Sequence, residues 1–190
     1  LAGWWGHAAP FEFSPHYRPA PGVGRYLCGT QPILSLAALE CGLDTVLAAE
    51  AHGGMAGLRA KALALTDAFI ALVAQRCPGW FELVTPREHG QRGSQVCLRM
   101  ADAGQQVGGP AYAIVQALIA RGVIGDFRAG DSLEAAPRPG AARMPDILRF
   151  GFTPLYIGFE DVWNAVGNLA QVLEEEEWRR PEFNTRNAVT

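Results

Sequence analysis

Pro10, Pro15, Pro19 and Pro21 interrupt the first thirty-two residues, LAGWWGHAAPFEFSPHYRPAPGVGRYLCGTQP, and glycines punctuate the rest. Each proline removes a backbone donor and fixes φ, so a helix cannot propagate through the segment. Loop and extended chain are what remain. A stretch this long without regular structure is uncommon inside a compact domain and often carries function. It has little to pack on by itself. The chain also opens at Leu1 rather than at a methionine, which suggests that the natural protein starts earlier.

Beyond this segment the apolar residues become periodic. A helix is expected from Ile33 to Glu40, with Gly42 as its stop. A longer one should run from Met55 to Arg76, with Leu58, Ala62, Leu65, Phe69, Leu72 and Val73 on one face and Pro78-Gly79 ending it. Residues 81–84 and 94–100 read as strands. A helix from Pro110 to Arg121 follows, with Gly122 past its end. Val123 to Arg128 and Asp146 to Phe152 are further strand candidates. A last amphipathic helix should span Phe159 to about Trp178, with Phe159, Val162, Trp163, Val166, Leu169 and Val172 or Leu173 on one side. Residues 80–178 thus read β-β-α-β-β-α, a small α+β domain with helices on one face. The segment 130–143 between its last strands reads as a mobile surface loop. The glutamate run 174–177 reads as a solvated helix end.

Composition excludes several classes. Hydrophobic residues make up 49% and charged residues 18%, the balance of a folded chain rather than a disordered one. A formal charge of −3 with no basic stripe argues against nucleic acid. No apolar run approaches the roughly 20 residues of a membrane span. Cys28, Cys41, Cys77 and Cys97 form no CxxC pair, so they read as reduced cysteines packed as small hydrophobes, with neither zinc nor a disulfide framework. His16, His52 and His89 show no metal spacing. One lysine, Lys61, stands against fifteen arginines; beside Arg59 on the long helix, it reads as a solvated surface lysine.

Three segments stand out chemically. In GlyTrpTrpGlyHis (3–7), the indoles suit stacking on an aromatic ligand or donating to a phosphate oxygen; the plainer reading is an interdomain staple with His7 as a satisfied structural histidine. Thr30 in CysGlyThrGlnPro (28–32) sits just before a helix, where it either caps that helix or binds an anion at its N-terminus. Arg149, between Leu148 and Phe150, either points to solvent from an edge strand or enters a cleft, where a guanidinium would grip a carboxylate in two-pronged fashion.

Together, GWWGH, GTQP with Thr30 twenty-six residues after Trp4, and ILRFGFTPLY (147–156) ahead of a terminal helix resemble kynureninase. EHGQRGSQV and ALIARGVIGDFR also look like that family, so the resemblance covers essentially the whole chain. It implies an α/β architecture: the C-terminal part of a fold-type-I pyridoxal-phosphate-dependent transferase-like fold, ending in the small α+β domain. Residues 1–54 would close the large cofactor-binding domain with interface loops, 55–79 would be a linking helix, 80–180 the small domain and 181–190 a tail. The implied activity is hydrolysis of kynurenine, or its 3-hydroxy form, to anthranilate, or 3-hydroxyanthranilate, and alanine, in cytoplasmic tryptophan catabolism and NAD biosynthesis. The implied cofactor is pyridoxal 5'-phosphate, and the implied partner is a second copy in a homodimer with active sites at the interface.

On that resemblance Trp4 lies against the cofactor phosphate and substrate, His7 near the aminophenyl ring, Thr30 on the phosphate of the neighbouring subunit's cofactor, and Arg149 on the substrate carboxylate. No catalytic residue falls within the chain, since the Schiff-base lysine precedes residue 1 and Lys61 cannot replace it. The segments 102–109 and 130–143 look like insertions relative to compact family members. Two other readings compete. A cysteine desulfurase or similar lyase needs a nucleophilic cysteine on a flexible loop, which neither Cys28 nor Cys97 offers well; a stand-alone α+β ligand-binding module would leave the first thirty-two residues unsupported.

Overall fold

The computed structural model describes residues 2–101, 110–131 and 144–185. The chain divides into two units, Leu1–Ala48 and Ala49–Thr190. The expected insertion 102–109 and most of the expected loop 130–143 lie outside the described residues, as does the end of the 181–190 tail.

The first unit follows the proline-imposed reading. Short 3-10 turns at Trp4–Gly6, Pro10–Glu12 and Gly22–Tyr26 are its only regular structure before helix α1, Ile33–Leu47. Gly42 does not stop α1, which runs five residues further, to Leu47. Glycine costs a helix interior only about 1 kcal/mol, and the apolar residues on either side of it continue the helix. None of α1's residues is buried within the described chain.

Among the described residues the second unit is built on four strands: β1 (Phe81–Leu83), β2 (Gln95–Met100), β3 (Asp126–Arg128) and β4 (Ile147–Gly151). All pairings are antiparallel, in the order β1-β2-β4-β3. Helices α2 (Gly54–Arg76), α3 (Ala111–Ala120) and α4 (Phe159–Glu174), with the short α5 (Pro181–Asn184), complete it. The core lies between sheet and helices: Val96, Leu98, Leu148 and Phe150 meet Leu65, Phe69, Ile114, Leu118, Val162 and Val166. Helix α2, expected as a linking helix, packs into this core. Its Leu65, Phe69, Ile70 and Val73 are buried in this core, and the division between units falls before it.

Local signals set the helix ends. After α3, Gly122 takes φ 82°, Gly122 N–H donates to Ile119 and Val123 N–H to Leu118, a Schellman close. At the start of α4, Asp161 reaches back to the Gly158 N–H at 2.7 Å. Helix α4 stops at Glu174, short of Trp178, because Glu176 adopts a left-handed φ of 51°. Phe159 and Trp163, expected inward, are more than half exposed; the Arg76 guanidinium lies 5.0 Å over the Trp163 ring.

Charged groups correct the sequence reading at Lys61 and in the glutamate run. Lys61 is half-buried, and its ammonium donates to the Pro154 carbonyl at 2.7 Å, tying α2 to the turn after β4. Arg92 is buried and pairs with Asp67 on α2, while His89 bonds the other Asp67 oxygen at 2.8 Å. Partial burial pushes the Asp67 carboxyl up, but the hydrogen bonds from Arg92 and His89 outweigh it and hold it below the usual range.

The glutamate run is not all solvated. Glu177 is buried and accepts from Arg121 at 2.9 Å and Arg180 at 3.1 Å, joining the end of α3 to the segment after α4. The Arg121 hydrogen bond lowers the Glu177 carboxyl against the opposing effect of burial. Because the folded value is depressed, the carboxylate stabilises the fold above the ordinary glutamate value near pH ~4.3, and that contribution is lost as pH falls through the folded value. Glu177→Gln is expected to cost about 2 kcal/mol at neutral pH. Melting temperatures followed from neutral to acid should show the gap between variant and wild type closing; a gap independent of pH would refute the ion pair's role.

Candidate functional site

Trp4, His7 and Thr30 belong to the first unit and Arg149 to the second. The GWWGH segment is held by backbone contacts. Ala8 N–H donates to Arg18 at 2.7 Å, Ala20 N–H to Gly6 at 2.9 Å, and His7 bridges to Pro19. His7 is buried, with both ring nitrogens engaged by main chain: Nδ1 accepts from Ala9 N–H at 2.9 Å and Nε2 lies 3.1 Å from the His16 carbonyl. That pattern requires the neutral tautomer carrying its proton on Nε2. Tyr17 packs edge-on against the ring, its centroid 5.7 Å away, and its hydroxyl donates to Gly6. Both ring nitrogens of His7 are thus satisfied by the main chain.

Trp4 differs: it is 50% exposed while stacked edge-to-face on Trp5 and Phe11, at 4.8 and 6.2 Å between centroids. Its ring is packed by aromatic neighbours, yet half of the residue stays exposed. The segment carrying Trp4 meets the segment carrying Thr30, for a Cβ on Gly3 would overlap the Cys28 carbonyl. Glycine is required there by close approach of two backbones.

Thr30 does not cap α1. Pro32 occupies the N-cap position and no side chain caps the helix. Thr30 is exposed, and its hydroxyl has no hydrogen-bond partner among the described residues. A free hydroxyl and an uncapped 15-residue helix N-terminus therefore lie two residues apart, the donor chemistry that suits a phosphate oxygen.

Arg149 is not on an edge strand. β4 lies between β2 and β3, with Arg149 opposite Cys97 on one side and Asp126 on the other. Leu148 and Phe150 are buried toward the helices, which puts Arg149 on the opposite face by strand alternation. Its side chain is 29% exposed; one amino group of the fork pairs with Asp126, and the rest of the fork has no partner among the described residues. Arg128 binds the same Asp126 oxygen at 2.8 Å. Asp126 and Arg128 escaped the sequence reading because β3-β4 register is invisible in sequence. A cleft of about 340 Å³ opens on the helix side of the sheet, among Phe69, Phe150, Phe152, Asp161 and Asn164, with Arg121 at its margin already committed to Glu177.

Residues 58–169 match the family model for the kynureninase C-terminal domain. The chain belongs to that family. Over its whole length it is 51% identical to a kynureninase of Burkholderia mallei strain SAVP1 and 48% identical to one of Pseudomonas fluorescens. It spans 39% of the length of each. The similarity favours neither a cysteine desulfurase nor a stand-alone binding module. Cys97 agrees, since it lies in β2 with its N–H bonded to Thr85 Oγ1 rather than on a flexible loop. Among the described residues no group of acids, histidines and cysteines could hold a metal, and no helix is long and apolar enough to cross a membrane.

The Gly3 contact yields a direct test. Gly3→Ala must push the GWWGH segment off Cys28, an overpacking cost of about 1–3 kcal/mol. Tryptophan emission should shift as Trp4 and Trp5 lose their fixed surroundings. Emission and melting temperature identical to wild type would show that the two segments do not depend on each other.

Proposed function

We propose that this chain is the C-terminal part of a kynureninase that hydrolyses kynurenine or 3-hydroxykynurenine to the corresponding anthranilate and alanine. The observation that carries the proposal is identity of 51% to a kynureninase over the whole length of the chain. Pyridoxal phosphate, when bound, supplies the electron sink for cleaving the carbon–carbon bond beside the substrate's aryl ketone. The residues present fit that cofactor: the half-exposed indole of Trp4 offers apolar surface, and Thr30 with the uncapped start of α1 offers phosphate donors. The lysine that anchors the cofactor is taken to lie outside this chain, because Lys61 is engaged with Pro154.

In this reading the chain binds and orients rather than transfers protons. Thr30 holds a phosphate oxygen of the neighbouring subunit's cofactor in a homodimer. His7, with both nitrogens occupied, presents only its ring and supports the aryl end as a fixed wall. The free edge of the Arg149 fork grips the substrate carboxylate. Cytoplasmic tryptophan catabolism leading toward NAD biosynthesis belongs to the same reading and rests on the family resemblance.

Two variants of the complete, cofactor-loaded enzyme test these roles. Arg149→Lys replaces a planar fork by a point charge of different reach. It should lower kcat/KM about tenfold for each ~1.4 kcal/mol of lost transition-state binding, with folding and cofactor content unchanged. Unchanged kinetics would remove Arg149 from the site. Thr30→Val deletes one hydrogen bond to a charged group, about 1.5–3 kcal/mol, and should weaken cofactor retention measured by dialysis and absorbance. A variant that keeps cofactor affinity and loses only helix stability would return Thr30 to a structural role.

A further inference from the structure

We propose that Asp126 is a positioning residue for substrate capture: it holds one edge of the Arg149 guanidinium so that the remaining donors face an incoming carboxylate. The proposal rests on the reading of Arg149 as the carboxylate clamp. Register puts the two residues directly opposite each other on β3 and β4, so their side chains share one face of the sheet. The Asp126 carboxylate accepts from a single amino group of the Arg149 fork. The other amino group and Nε are unengaged among the described residues, and a guanidinium carries five N–H donors. The bonded amino group keeps a second N–H, which pairs with Nε–H or with an N–H of the other amino group to leave one two-pronged edge available.

The backbone alone cannot do this. Leu148 and Phe150, 0% and 6% exposed, anchor β4 from below, which fixes the Arg149 Cα. Several rotatable bonds still separate that Cα from the fork, and two-pronged binding is gained only when those bonds are held.

Arg128 adds a second element. It binds the same Asp126 oxygen at 2.8 Å, so two arginines share one carboxylate and the trio keeps a net charge of +2 − 1 = +1. A lone Arg149–Asp126 pair would be neutral and would set Asp126 against the substrate for one cation. With Arg128 present the cluster still attracts an anion. Asp126 and Arg128 are 43% and 59% exposed, so screening by water makes the repulsion between Asp126 and a bound carboxylate small. Orientation is therefore the larger effect of removing Asp126.

The test uses the complete, cofactor-loaded enzyme, kynurenine as substrate, and the matching amine that lacks the carboxylate as a competitive inhibitor. Asp126→Ala should lower kcat/KM for kynurenine about tenfold, chiefly through KM, with kcat within about threefold of wild type. Asp126→Asn, whose amide oxygen still accepts from Arg149, should stay within about threefold of wild type. Inhibition by the amine should be the same in all three proteins. Asp126→Ser, too short to reach Arg149, repeats the alanine test if that variant folds poorly. The proposal is overturned if the alanine and serine variants match or exceed wild type, if asparagine is as damaging as alanine, or if amine binding falls in parallel. Arg149→Lys separates the two levels. Should it spare kynurenine capture, the clamp itself falls; should it lower capture while Asp126→Ala does not, the clamp stands and the tether alone is refuted.

Discussion

The packing of Phe69 against β4 is the contact on which the second unit turns. Its ring lies 4.9 Å from that of Phe150 and 5.1 Å from that of Phe152, centroid to centroid, joining the longest helix to an inner strand. Phe69, Leu148 and Val96 are essentially inaccessible to water, so β4 cannot slide or rotate without exposing several large side chains at once. Strand alternation then delivers Arg149 to the far face with no further device. The strand is held by its apolar residues, and the charged residue between them meets Asp126 on the other face of the sheet.

Hydrogen bonding plays the same part in the first unit that apolar packing plays in the second. Proline and glycine deny the segment before α1 any helical ladder, so its polar groups are satisfied by cross-links: His7 to residues 9 and 16, Ala8 to Arg18, Ala20 to Gly6. The indole of Trp4 and the hydroxyl of Thr30 are not consumed in this way. Groups left over after the backbone has been satisfied are the natural ones to meet a ligand. His7, which drew attention through its place beside two tryptophans, has both ring nitrogens consumed.

Ion pairs in the second unit divide by burial. Glu177 and Arg92 are enclosed and fasten elements together, one joining α3 to the segment after α4, the other holding the turn before β2 on α2. Asp126, Arg128 and Arg149 lie on the open face of the sheet, with a net positive charge and donors to spare. Enclosed pairs of this kind destabilise strongly when one partner is removed; pairs at a partly open face can exchange a partner for a ligand. The same residue types thus fasten elements in one place and leave donors unengaged among the described residues in the other.

By itself the sequence determined much of this. Apolar periodicity located α2, α3, the four strands and most of α4, because burial of one face leaves its mark on every third or fourth residue of a helix and every second residue of a strand. The motifs around Trp4, Thr30 and Arg149 determined the family. What it could not determine were properties of pairing between distant residues. Gly42 looked like a stop because local propensity is a weak prior against continued apolar sequence. Lys61 and Glu177 looked solvated because Pro154 and Arg121, the groups that enclose them, lie 93 and 56 residues away. Sequence left Arg149 open between an edge-strand charge and a cleft, because nothing in its own strand reveals that β3 lies beyond it. Register, strand order and the partner of each charge are set by packing across the sheet, and only the tertiary structure decided them.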